Sequence, residues 1–164
     1  MMWWVALALA QEPDVAEVAE ARRLSHELSQ YSRSGRHDAV DRTYRRLLTL
    51  TVPVTPEQHL EAAGASLAVG DVHRAAARFA RAGATDRLHD LRSRYGVVRV
   101  SRAPKGTTFA GYEPFAPDEQ AALRWANEVL ASQPHGVVMV PAGQYQVGGQ
   151  AVQIAAGEVV SLQP

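Results

Sequence analysis

The chain contains no cysteine and a single lysine, Lys105, among its 17 basic residues. Without thiols there is no disulfide, no thiolate zinc site, no cysteine nucleophile and no lipid-modified N-terminal cysteine. Formal net charge is zero, so the electrostatic term behind general nucleic-acid binding is missing and no nucleic acid is expected as a partner. Neither part of the chain carries a one-sided field: 13 basic and 12 acidic residues precede Gly96, and 4 and 5 follow it. No apolar run approaches the roughly 20 residues that a membrane-spanning helix needs, so no integral membrane span is expected.

Patterns that carry chemistry are missing too. The histidines, His26, His37, His59, His73, His89 and His135, show no i, i+3 or i, i+4 pairing. His26-Glu27 begins like a zincin helix, but Gln30 occupies the place of the second ligand. Ser25, Ser29 and Ser32 lie along one helix, and none sits in a Gly-x-Ser-x-Gly elbow. Glu113, Asp118 and Glu119 stand ahead of a helix, where carboxylates serve as dipole partners. Gly143, Gly148 and Gly149 precede strands rather than a helix N-terminus and make no phosphate loop. The sequence therefore implies no catalytic residues, no metal and no cofactor, and a non-enzyme is expected.

What is present is an ordinary globular composition, 46% apolar and 21% charged, which excludes wholesale disorder. Residues 1–10, Met1-Met2-Trp3-Trp4-Val5-Ala6-Leu7-Ala8-Leu9-Ala10, are uninterruptedly apolar. They end in a small-x-small pattern before the polar break Gln11-Glu12-Pro13-Asp14, and so resemble a secretory signal peptide. A periplasmic or secreted location follows from that reading; a cytoplasmic one follows if the run instead docks on the core.

From Asp14 to Tyr95 the spacing is helical. Asp14 is a candidate N-cap with Glu17 completing a capping-box pair, and Val15, Val18, Leu24, Leu28 and Tyr31 form an apolar stripe. Gly35 ends that helix in a left-handed cap. Asp38 to Leu50 is the return helix, with Val40, Tyr44, Leu47 and Leu48 inward. Val52-Pro53-Val54 breaks the pattern, and Thr55-Pro56 starts a helix to Val69, with proline at its favoured first position. Gly70-Asp71 precedes a helix over Val72–Ala82, and Gly83 precedes a short one over Asp86–Tyr95. After Gly96 the period changes to two: a strand over Val97–Ser101, an irregular stretch from Ala103 to Pro117, a helix over 118–132, and short strands from Gly136 to Leu162. Gly148-Gly149 signals a tight hairpin. Gln144, Gln146, Gln150 and Gln153 alternate with apolar neighbours, as in a sheet with one wet face. The expected fold class is α+β: antiparallel helical hairpins over 14–95, then a small antiparallel β domain over 97–164 with one inserted helix.

Gly35 and Gly70 open the same downstream pattern: Val40 and Ala75, then Tyr44 and Phe79, then Leu47 and Ala82. Together with Tyr31 and Ala63, these residues make 17–83 resemble a pair of tetratricopeptide repeats. That resemblance implies a protein-interaction scaffold in which extended peptides lie along the surface of the first helices. In this register the surface carries Arg22, Ser25, Ser29, Glu57, Leu60 and Leu67. It lacks the lysine–asparagine clamp used for C-terminal carboxylates, so a neutral or mixed peptide is expected rather than an acidic tail. Val140-Pro141-Ala142-Gly143-Gln144-Tyr145-Gln146-Val147 resembles the Pro-x-Gly-x-Tyr-x-Val strand pair of PEGA-type β modules, which implies an accessory domain of a bacterial envelope protein. The expected function is thus a non-enzymatic protein-interaction module of the cell envelope with a protein or peptide partner. The alternative is a self-assembling structural or secretion-accessory component, a homo-oligomer.

Two further features have competing readings. Asp38 and Asp41 stand four residues before Arg42 and Arg45, so the Arg36, Arg42, Arg45, Arg46 cluster reads as a self-paired solvated face rather than an anion site. Tyr112 and Phe115 are expected to staple the proline-rich loop onto the sheet, with an exposed contact as the alternative.

Overall fold

The computed structural model describes residues 14–163; the apolar run at 1–10, read as a leader, lies outside them. The fold is α+β. Helix α1 (Val15–Arg33) starts at Asp14, whose carboxylate accepts from the Ala16 amide at 3.3 Å. Glu17 does not close a capping box; its carboxylate accepts from the Thr51 hydroxyl across the hairpin. The buried side of α1 is Ala21, Leu24 and Leu28, whereas Val15, expected inward, is 83% exposed because the first turn overhangs the hairpin core. In α2 (His37–Leu47), Val40, Tyr44 and Leu47 are buried as expected. Leu48 is 43% exposed, because the helix ends at Leu47 and the next side chain leaves the inward face.

Helix α3 (Pro56–Ala68) opens with a complete capping box: the Thr55 amide donates to Gln58 Oε1 at 2.8 Å, and the Gln58 amide donates to Thr55 Oγ1 at 3.4 Å. Helix α4 (Val72–Arg81) is capped by Asp71, which accepts from the Arg74 amide at 3.0 Å, and α5 (Thr85–Arg94) follows. The turns into α2, α4 and α5 share one hydrogen-bond set. In each, a glycine takes positive φ (Gly35 67°, Gly70 89°, Gly83 69°). The next amide reaches back to the carbonyl four residues before the glycine: Arg36 to Tyr31, Asp71 to Ser66 and Ala84 to Phe79. This is the bond of a Schellman-type stop, which returns the chain with little loop.

Strands β1 (Tyr95–Val100), β2 (Phe109–Ala110), β3 (Gly136–Pro141), β4 (Gly143–Val147), β5 (Gln150–Ile154) and β6 (Val159–Leu162) form two three-stranded sheets, ordered β3-β1-β6 and β2-β4-β5. Helix α6 (Pro117–Ser132) is inserted between β2 and β3. Pairing is antiparallel except for β1 with β6, which is parallel and corrects the expected all-antiparallel domain. The reason is connectivity: β6 reaches β1 only after the chain has passed through the other sheet, and such a crossover permits a parallel return. Pro141-Ala142-Gly143, read from the sequence as the turn of a strand pair, is instead a corner. The strands on either side of it lie in different sheets. The glutamines at 144, 146, 150 and 153 are exposed, while Tyr145, Val147 and Ile154 are buried.

Among the described residues, three apolar clusters hold the chain together. One lies within the first helices, around Leu24, Leu28, Val40, Tyr44 and Leu47. Another lies inside the β half, around Val98, Phe109, Leu130, Tyr145 and Ile154. The third spans the change of period, joining Ala63, Val72, Ala75, Phe79 and Leu91 to Tyr95, Ala122 and Met139. At Gly70 a Cβ would stand 2.2 Å from the Ala121 carbonyl oxygen, so the α3–α4 turn rests directly on α6. Among the described residues no helix is long and apolar enough to cross a membrane.

Candidate functional site

The surface expected to bind a peptide is built by α1 and α3, and much of its polar chemistry is spent inside the fold. Ser25 donates to the Ala21 carbonyl at 2.6 Å and accepts from Gln58 Nε2 at 2.5 Å. Ser29 donates to the Glu61 carboxylate at 2.8 Å. Both serines therefore lock α1 to α3. Arg22 and Glu57 are exposed. The Glu57 carboxyl sits below the usual carboxylate range because its own backbone amide, and then Thr55, hydrogen-bond to it. Leu60 is 40% exposed, but Leu67 is half-buried against the third apolar cluster and does not join the others. A shallow depression along α1, lined by Ser25, His26, Ser29, Gln30, Arg33 and Ser34, includes only the two serines of the expected set.

The densest polar cluster lies between α2, α3 and α4. Arg78 is buried (4% exposed), donating through Nη1 to the Ala62 carbonyl and Ser66 Oγ, both at 2.8 Å, and through Nη2 to Asp41. Its guanidinium lies 4.5 Å over the Tyr44 ring. The Tyr44 hydroxyl meets His59 Nδ1 at 2.7 Å. Burial alone would raise the Asp41 carboxyl, but the bond to Arg78 and the charges of Arg78, Arg74 and Arg45 lower it on balance. Burial, and then the charges of Arg81 and Arg78, push His59 below the ordinary imidazole value. Asp41 does pair with Arg45, but among the described residues no ion pair joins Asp38 to Arg42. Arg46 reaches Glu20 on α1 at 2.6 Å, and Arg36 lies over Tyr31 at 4.8 Å. These groups tie the helices to one another and leave no unpartnered polar atom aimed at a cavity: among the described residues every buried side-chain polar atom has a partner.

A different kind of surface lies where the 111–116 loop meets α6. Asn127 grips β2 at both backbone groups of Phe109, accepting from its amide at 2.7 Å and donating to its carbonyl at 3.4 Å. The chain then turns at Gly111, with φ at 84°. Tyr112 packs edge-on against Tyr145 at 5.3 Å between ring centres and covers Gly143, where a Cβ would lie 2.9 Å from the Tyr112 ring. Pro114 is buried, and Gln120 Nε2 donates to its carbonyl at 3.0 Å. The loop is thus pinned before position 115 at Pro114 and after it at Ala116, whose carbonyl accepts from the Gln120 amide at 3.0 Å, and Phe115 stands 99% exposed. Tyr112 does the stapling that the sequence suggested for both aromatics. Phe115 does not, because the buried Pro114 turns the next side chain outward. Between the loop and α6 runs a groove of about 510 Å³ lined by Tyr112, Glu113, Pro114, Phe115, Gln120, Leu123, Arg124 and Asn127. The two loop aromatics were legible as a candidate contact. The second wall, Leu123, Arg124 and Asn127, carries no local signal, since only packing of α6 on the sheets brings it to the loop.

No protein-family model matches this chain, and neither a curated protein nor a solved structure matches it.

Proposed function

We propose that this protein is a non-enzymatic protein-interaction module: tetratricopeptide-like helical hairpins joined to a small β-rich part, acting in the bacterial cell envelope. The observation that carries the reading is Phe115, a fully exposed aromatic on a loop fastened beside an apolar groove. Aromatic side chains are favoured as anchors of protein contacts, and here one stands next to a groove with apolar walls rather than alone on the surface. Fastening of the loop backbone adds to this, because less of the chain must be ordered on binding. We place the contact at the groove rather than along α1 and α3, whose serines are engaged in helix packing. The occupant this surface suits is a protein segment offering an apolar side chain flanked by charges of both signs, matching Glu113 and Arg124.

The experiment is site-specific photocrosslinking with benzoylphenylalanine placed at Phe115, and at Arg22 for comparison, in cells producing the full chain. The expected result is a defined protein adduct from position 115, identified by mass spectrometry, and none from position 22. Adducts from position 22 alone would return the contact to the α1–α3 surface, and no protein adduct from either would end the interaction reading. Export to the periplasm or medium rests on residues 1–10, and N-terminal sequencing tests it: a mature start at Gln11 is expected, and an intact Met1 would remove its basis.

A further inference from the structure

We propose that the groove between the 111–116 loop and α6 binds a second copy of this chain, two copies closing on each other about a two-fold axis. The inference rests on the reading of that groove as a protein contact and names the occupant. A two-fold interface demands self-complementarity: if residue i meets residue j, then j meets i, and one patch must hold both halves of every contact. This patch does so in shape. It presents a knob, the fully exposed Phe115, beside an apolar recess walled by Tyr112 and Leu123. The loop's fastening to Gln120 leaves Phe115 outside the recess of its own chain. A neighbouring copy can use both at once, each Phe115 entering the other's recess.

The patch does so in charge as well. Glu113 and Arg124 line the same groove from opposite walls. Both are exposed, and neither forms an ion pair among the described residues, unlike Arg23, Arg45, Arg46 and Arg74. A two-fold rotation places each Glu113 toward the second copy's Arg124, giving two symmetric pairs at the rim of an aromatic centre. That arrangement, apolar core and charged rim, is the usual anatomy of a protein contact. The net charge of zero leaves no long-range repulsion between copies. A second copy supplies the apolar side chain and both charges that the groove suits, and its own recess receives the first copy's Phe115 as well.

Analytical ultracentrifugation of the full chain, with three single variants and one double variant, tests the idea. The unmodified chain is expected to show a reversible monomer–dimer equilibrium. Phe115→Ser removes the anchor from both sides of the axis and should weaken dimerisation by about tenfold or more. Because Phe115 is exposed, its variant should keep the helical ellipticity of the parent, which separates lost contact from lost fold. Glu113→Arg and Arg124→Glu should each weaken the dimer by juxtaposing like charges. The double variant Glu113→Arg with Arg124→Glu should restore it, since both pairs are reversed together. A monomer at every concentration, with a different protein crosslinked at position 115, would overturn the second-copy inference and leave the interaction reading standing. A monomer with no crosslinked protein would end both. A dimer indifferent to all variants would place the contact elsewhere and sink the inference. So would a chain that stays monomeric while an added small aromatic compound shifts the resonances of Tyr112 and Leu123.

Discussion

A methyl group at position 70 would meet the Ala121 carbonyl oxygen at 2.2 Å, whereas one at position 35 would meet nothing within 4 Å. Both glycines take positive φ and end a helix in the same way, so their backbone requirement is alike and their surroundings are not. Gly35→Ala should therefore cost only the left-handed strain, about 1–2 kcal/mol. Gly70→Ala should cost distinctly more, because α6 must move as well. Denaturant midpoints of the two variants measure the difference. The sequence pattern shows two equivalent glycines; the clash that separates them is made by a residue some fifty positions later and is invisible to it. His59 supplies a second residue-scale prediction. Its folded-state pKa lies below the unfolded one, so in the window between them the unfolded chain binds a proton that the folded chain refuses. Stability from this group is complete above the ordinary imidazole value and is lost as pH falls through it toward the folded pKa. Urea midpoints taken at about pH 7.5 and about pH 5.5 should fall on acidification, and His59→Gln, which cannot titrate, should flatten the fall. An unchanged slope in the variant would assign the effect to other groups.

Helix starts were legible because their causes are local. Thr55-Pro56-x-Gln58 carries its own cap, its first-turn proline and its reciprocal bond within four residues. Thr55→Ala should accordingly lower stability by about 1 kcal/mol, read from thermal or urea unfolding. What clamps the helices to one another could not be read this way. Arg78 looks like a surface residue of a short amphipathic helix, yet it is buried, with partners 12, 16 and 37 residues away on α3 and α2. Removing one member of such a group strands the others, so Arg78→Met should cost roughly 3 kcal/mol. Pairing it with Asp41→Leu should recover only part of the loss, because Asp41 keeps Arg45 and Arg74 as partners when Arg78 is gone. A double-mutant cycle in urea checks both, and additive losses would show that the two side chains do not act as a unit.

For the whole molecule, the decisive feature is the shared cluster in which Val72, Phe79 and Leu91 meet Tyr95, Ala122 and Met139. Helix α5 also runs into β1 without an intervening loop, Arg94 ending one and Tyr95 starting the other. The helical and β parts should therefore unfold together, with helical ellipticity and amide exchange in β1 reporting the same midpoint. Met139→Ala, a truncation in β3, should destabilise by roughly 3 kcal/mol and loosen the amides of α4 as well as those of β1. If α4 protection stayed unchanged, the two parts would be energetically separate. The same scale decides the candidate contact. Phe115 and Tyr112 are neighbours in the chain, but Leu123 and Arg124 face them only because α6 lies along the sheets after β2.

By itself the sequence determined the fold class, the order of the elements except β2, which lies in the stretch read as irregular, and most of their boundaries, because periodicity, caps and glycine stops act over a few residues. It also bounded the chemistry: with no thiol, thiolate chemistry was absent from the outset. Only the tertiary structure decided that β6 returns parallel to β1, that Pro141-Ala142-Gly143 is a corner between sheets, that Ser25 and Ser29 are spent on packing, and that Phe115 is left in water. Each of these depends on what a distant segment brings alongside. Steric fit and hydrogen-bond partners between remote residues are set by packing, which leaves no periodic trace in the chain.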